Sequence, residues 1–165
     1  LKKNRKWNEK FQRDEYIRSL ASCDSKREVL VHFLYMNVNS QSSPNMDLLE
    51  QFWRSLDEVS NKKISSLAGF IDFLKALRDE LELREVILED GDNWGNLFKL
   101  LRSIPGWGDK TAALFVKAAI KLHNDREISK KYYFWSDALL EKTPLISSPY
   151  LPVDRVILKI FKKLR

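Results

Sequence analysis

One cysteine, five glycines and five prolines are all that this 165-residue chain holds of the residues that staple, bend or break a polypeptide. The lone Cys23 excludes an internal disulfide, and it excludes a four-cysteine metal or iron–sulfur site built from these residues. With so few Gly and Pro, the apolar residues recur mostly at helical spacing, so an all-α fold is expected rather than a sheet. No apolar run approaches the roughly 20 residues that span a bilayer. Leu1-Lys2-Lys3-Asn4-Arg5-Lys6 has no apolar signal region behind it. The expectation is an intracellular protein without a membrane segment, in the cytoplasm and nucleoid or in the nucleus according to organism. His32 and His123 stand far apart, without Cys or carboxylate neighbours at ligand spacing. No metal site is expected, and both read as ordinary helix residues.

The chain carries 29 Lys and Arg against 23 Asp and Glu, a net charge of +6 that suits a polyanionic partner. Its length suits one domain over 1–165 that buries most of its apolar side chains in a single core. No linker, repeat or low-complexity tract interrupts it. Trp7, Phe11, Tyr16, Ile17 and Leu20 form a first amphipathic stripe. Asp24 or Ser25 caps a second helix with Val29, Leu30, Phe33, Leu34 and Met36 on its apolar face. Asn45 or Asp47 starts a third, packed through Leu48, Leu49, Phe52, Trp53 and Leu56, and Ser65 or Ser66 a fourth, through Phe70, Phe73, Leu74 and Leu77. Around Glu89-Asp90-Gly91-Asp92-Asn93 the chain turns and recaps.

The next segment is the most informative. Trp94, Leu97, Phe98, Leu100 and Leu101 recur at near-helical spacing, as do Ala112, Phe115, Val116, Ala119 and Ile120. Between them stands Ile104-Pro105-Gly106-Trp107-Gly108-Asp109-Lys110-Thr111, so about 94–123 reads helix, tight turn, helix. Pro105 stops the first helix, and Gly106 and Gly108 permit backbone conformations closed to other residues. The amides around Gly106, Gly108 and Lys110 are then offered at a helix start, which attracts a phosphate.

The nonapeptide from Ile104 through Ala112 resembles the helix-hairpin-helix of the base-excision DNA glycosylases, the superfamily named for the hairpin and a Gly/Pro-rich loop followed by an aspartate. Downstream, Leu151-Pro152-Val153-Asp154-Arg155-Val156 resembles the aspartate loop (about 149–156) in the form seen among 8-oxoguanine glycosylases. The resemblance implies a helical domain that takes double-stranded DNA with a damaged base or abasic site as partner, acts as a monomer, and needs no cofactor beyond a monovalent cation at the hairpin. It implies that Gly106, Trp107, Gly108, Lys110 and Thr111 contact DNA. In the bifunctional branch the lysine two places after the second hairpin glycine is the nucleophile, here Lys110, and the aspartate, here Asp154, stabilises the cationic sugar. The implied activity is removal of an oxidised purine through a lysine Schiff base, followed by strand scission at the abasic site. Two departures bear on the subgroup: Lys110 and Asp154 are farther apart than in the endonuclease III pattern, as in the archaeal 8-oxoguanine group, and no His stands two places after Asp154.

Several residues carry two readings. A lysine amine attacks a sugar carbon only when unprotonated, and Lys110 in a phosphate-contacting role leaves a noncatalytic DNA-binding module. Asp154 is also a plain helix N-cap. Asn39 and Gln41, in a polar loop after the second helix, either fill the gap left by an extruded base or cap a surface turn. Trp53 is a core residue or the wall of a base pocket. Phe134 and Trp135, in the run Lys130-Lys131-Tyr132-Tyr133-Phe134-Trp135, anchor an added segment to the core or stack on an extruded base. Asp109, in the first turn of a helix, is expected to point away from DNA.

Overall fold

Four of the helices begin where a short polar side chain takes up an orphan backbone N–H, which is why those boundaries follow the capping signals closely. The computed structural model describes residues 2–41, 44–125, 128 and 130–137, and in the first helix the side chains of residues 10, 11 and 13–20. Among the described residues it is all-helical: α1 (Lys2–Leu20), α2 (Lys26–Asn39), α3 (Met46–Glu58), α4 (Asn61–Ile64), α5 (Leu67–Glu80), α6 (Asn93–Ser103), α7 (Gly108–Asn124) and a 3-10 turn, Lys130–Tyr132. Ser25, Asn45, Ser66 and Asp92 cap α2, α3, α5 and α6, their side chains accepting from Glu28, Leu48, Gly69 and Gly95 N–H. The Glu28 carboxylate in turn accepts from Asp24 N–H at 2.7 Å. The one-turn α4 lies between helices that the sequence pattern already separates.

The core is continuous from α2 to α7. Val29, Leu30, Phe33 and Leu34 of α2, Phe70, Phe73, Leu74 and Leu77 of α5, and all five apolar positions of α6 are buried. The stripe on α3 is narrower than its sequence suggests: Leu49, Phe52 and Leu56 are buried, whereas Leu48 is 51% exposed. Phe33 anchors the centre, with ring centroids 5.6 Å from Phe115 and 5.3 Å from Phe134.

After α7 the chain crosses back over the core and is fastened at two points. His123 Nδ1 bonds the Ala119 carbonyl at 2.9 Å, and Nε2 accepts from Trp135 N–H at 3.2 Å, which fixes the neutral tautomer with its proton on Nδ1. The two rings also stack, 5.7 Å apart. Burial pushes the imidazole pKa down from 6.5 to about 4. His123 is therefore a structural clip rather than an ordinary helix residue. Two residues past Trp135, the Asp137 carboxylate accepts from Leu67 N–H at 2.6 Å and Ala68 N–H at 3.2 Å, adding a second cap to α5 from the far end of the described chain. The predicted aspartate loop, about 149–156, lies outside the described residues.

Candidate nucleic-acid interface

Proline ends α6 in two ways. The residue before a proline is driven out of the helical region, and Ile104 sits at φ −75°, ψ 131°. Pro105 also has no N–H to return to the Leu101 carbonyl, so Ile104 N–H takes that acceptor instead, at 3.0 Å. Trp107 N–H then closes a tight turn onto the Ile104 carbonyl at 3.1 Å. Gly106 and Gly108 flank the tryptophan with φ of +88° and +57°, the left-handed region that favours glycine. At Gly106 a second constraint applies, because an added Cβ would lie 2.6 Å from Leu49 Cγ of α3.

The turn delivers the start of α7 to the surface. Gly108, Asp109 and Lys110 are exposed, and no side chain caps the helix. An uncapped N-terminus leaves N–H groups and a partial positive charge for an external acceptor. Asp109 is paired along the surface, its Oδ1 3.1 Å from Arg102 Nε on the last turn of α6. Arg102 also lies over the Phe98 ring, 5.7 Å from its centroid. Gln41, from the polar loop after α2, reaches the same turn: its Nε2 donates to the Gly106 carbonyl at 3.2 Å. The loop and the hairpin, far apart in sequence, are thus brought together. Asn39 is exposed at the end of α2.

Four predicted site residues take other places. Trp107 is 1% exposed, held edge-on by Phe52 at 5.3 Å and Phe115 at 5.7 Å. Its ring cannot meet DNA; it pins the turn to the core. Thr111, 4% exposed, has its side chain on the inner face of α7. Phe134 and Trp135 are wholly enclosed and pack against each other, Phe33, Phe70 and Phe115. A ring with its faces already covered has none to offer an extruded base, so they anchor the segment to the core. Trp53 is half-buried beside Tyr35 and Phe52, on an open groove whose lining comes from the turn after α1 and from α2, α3 and α4. No hairpin residue lines that groove. Asp154 lies outside the described residues, so of the two residues expected to be catalytic only Lys110 is placed.

Sequence reasoning passed over a cluster beside the hairpin: Arg78, Arg84, Lys99 and Arg102 converge on one pocket. The signal was present, since Arg78 follows Phe70 and Leu74 at four-residue steps and so falls on the apolar face of α5.

Among the described residues no group of three or more His, Cys, Asp and Glu side chains could hold a metal ion, and no helix is long and apolar enough to cross a membrane. A cation on backbone carbonyls is a different kind of site. The Leu101, Ile104 and Gly106 carbonyls each accept one hydrogen bond and keep a second lone pair, a donor chemistry that suits a monovalent ion. No family model matches the chain, and neither does any curated protein or solved structure.

Proposed function

We propose that this chain is a base-excision DNA glycosylase with abasic-site lyase activity, acting on an oxidised purine in double-stranded DNA. The observation that carries the reading is the uncapped start of α7, with Lys110 exposed in its first turn two residues past the left-handed Gly108. The α7 amides hold a backbone phosphate, with or without a monovalent cation on the hairpin carbonyls. Held there, the strand brings a sugar to Lys110. The Lys110 amine forms a bond to the anomeric carbon as the bond from that carbon to the damaged base breaks, and the base leaves with the electron pair and takes up a proton. The Asp154 carboxylate stabilises the sugar cation on the way. Ring opening gives the Schiff base, and loss of a proton from the neighbouring carbon expels the 3′ phosphate. Gln41, tied to Gly106, follows the strand into the gap left by the base. The protein acts as a monomer inside the cell.

Borohydride reduction with duplexes carrying one lesion each tests this. A covalent protein–DNA adduct is expected with an oxidised purine, and Lys110→Gln abolishes it while retaining DNA binding, because the hairpin backbone is unchanged. Lys117, further along α7, is dispensable. Binding without cleavage or adduct across a broad lesion panel would replace the enzyme with a noncatalytic helix-hairpin-helix module.

A further inference from the structure

Arg78 is a charge placed where the sequence pattern calls for an apolar residue. It is 5% exposed, and a guanidinium does not escape burial by losing its proton. Its Nε donates to Ser103 Oγ at 2.7 Å, and that hydroxyl donates onward to the Leu100 carbonyl at 2.6 Å. Its Nη2 is buried and has no hydrogen-bond partner. Polar groups in folded proteins are rarely left so, and an orphan donor on a permanent cation points to an acceptor from outside the chain.

The surroundings fit an oxyanion. Arg78 lines a pocket of about 520 Å³ together with Arg84, Lys99, Arg102 and Ser103, and Glu85 is its single carboxylate. Lys99 is paired with Glu89 at 2.6 Å and Arg102 with Asp109 at 3.1 Å. Both acids are well exposed, and such surface pairs are weak enough for a phosphate to compete with. Arg84 is exposed and has no ion pair among the described residues. Planar guanidinium forks bind phosphate oxygens two at a time, a geometry that a pocket floored by one arginine and rimmed by two more can supply.

Position identifies the source. Arg102 and Ser103 are the last residues of α6, and Arg102 bridges to the first turn of α7, so the pocket adjoins the hairpin. We propose that the Arg78–Arg84–Lys99–Arg102 pocket binds a phosphate of the DNA backbone flanking the one held at the start of α7. This rests on the hairpin reading above. In the conformation described, Nη2 is shut off from solvent, so seating the phosphate takes a small shift of the Arg78 guanidinium or of the loop over it.

The test follows the Arg78 and Arg84 Nε–H resonances by NMR during titration with inorganic phosphate and with an undamaged duplex oligonucleotide. Both ligands should move the two resonances saturably, the duplex at far lower concentration. Arg84→Gln, an exposed and conservative change, should weaken both about tenfold, the scale of one lost charge-assisted hydrogen bond. It should also lower the slope of log affinity for duplex against log salt by about 0.9, as one phosphate contact is lost. If neither ligand moves the Arg78 resonance, the proposal is overturned. If phosphate moves it and duplex does not, the backbone assignment falls and the pocket serves a free phosphate. Gly108→Val separates this from the hairpin reading: duplex that still shifts Arg78 with undiminished affinity refutes the hairpin and leaves the pocket standing.

Discussion

Gly106 and Gly108 share a left-handed backbone but not their surroundings, and substituting alanine at each measures how the hairpin is held. At Gly108 nothing lies within 4 Å of an added Cβ. Gly108→Ala therefore carries only the backbone strain, about 1–2 kcal/mol. At Gly106 the same strain is joined by contact with Leu49, 2.6 Å from Cγ and 2.8 Å from Cδ2. Leu49 is 0% exposed and has no room to swing aside. Overpacking of this kind costs about 1–3 kcal/mol, for a total of about 2–5 kcal/mol. For a chain of this size each kcal/mol lowers Tm by about 2–4 °C. Gly108→Ala should then melt about 2–8 °C below the wild type and Gly106→Ala about 4–20 °C below, read by far-UV circular dichroism. A double-mutant cycle sharpens the comparison. Leu49→Ala alone costs about 2–5 kcal/mol, but less by about 1 kcal/mol or more in the Gly106→Ala background, where the new methyl occupies the vacated space. Equal melting losses at the two glycines, or an additive double mutant, would refute the packing of the hairpin turn on α3.

Two further predictions concern the same frame. Burial holds the His123 pKa near 4 against 6.5 in an unfolded chain, so the unfolded state binds more protons between those values. The group's contribution is fully present above about pH 6.5 and is lost as pH falls toward 4, by about 3 kcal/mol in all. Urea unfolding over that range should show a slope that His123→Phe lacks, and identical slopes would remove His123 from the account. Gln41→Ala loses the hydrogen bond to the Gly106 carbonyl, about 0.5–1.5 kcal/mol, and should reduce excision from duplex more than from single strands. Equal reduction on both would make Gln41 a support for the turn alone.

What could be read from the sequence was what depends on neighbours three or four residues away. Ser25, Asn45, Ser66 and Asp92 act within one turn of their own helices, so the pattern of polar residue and apolar run locates them. The tight turn between α6 and α7 was legible for the same reason, since Pro105 and the two glycines impose their geometry locally. The direction in which a loop side chain faces is settled by partners that the local sequence does not name. Trp107 turns inward because Phe52, from α3, and Phe115, from α7, build a slot for it. Trp135 is buried because His123 receives its backbone N–H and Phe70 its ring. Asp137 caps α5 across the fold, a pairing with no trace in either segment alone. Arg78 was visible as a charge on an apolar stripe, but only the arrival of Ser103, Lys99 and Arg102 shows that it sits at the floor of a basic pocket.

The inward turn of Trp107 alters how the proposed DNA contact works. An exposed tryptophan would have added stacking area at the cost of a turn free to move with its side chain. With the ring enclosed, the short loop is held from three directions: by Trp107 against Phe52 and Phe115, by Gly106 against Leu49, and by Gln41 on the Gly106 carbonyl. A backbone fixed this way has its ordering entropy met during folding rather than during binding, which is what a phosphate site made of amides requires, because amides have no side-chain reach with which to search for the ligand. It also fixes the origin from which Lys110 extends, and in covalent catalysis an amine gains from positioning what it lacks in intrinsic reactivity. On this argument Trp107 belongs to the site through rigidity rather than contact. Trp107→Phe, which keeps an aromatic ring in the slot, should therefore preserve DNA affinity, whereas Trp107→Ala should weaken binding to every DNA alike.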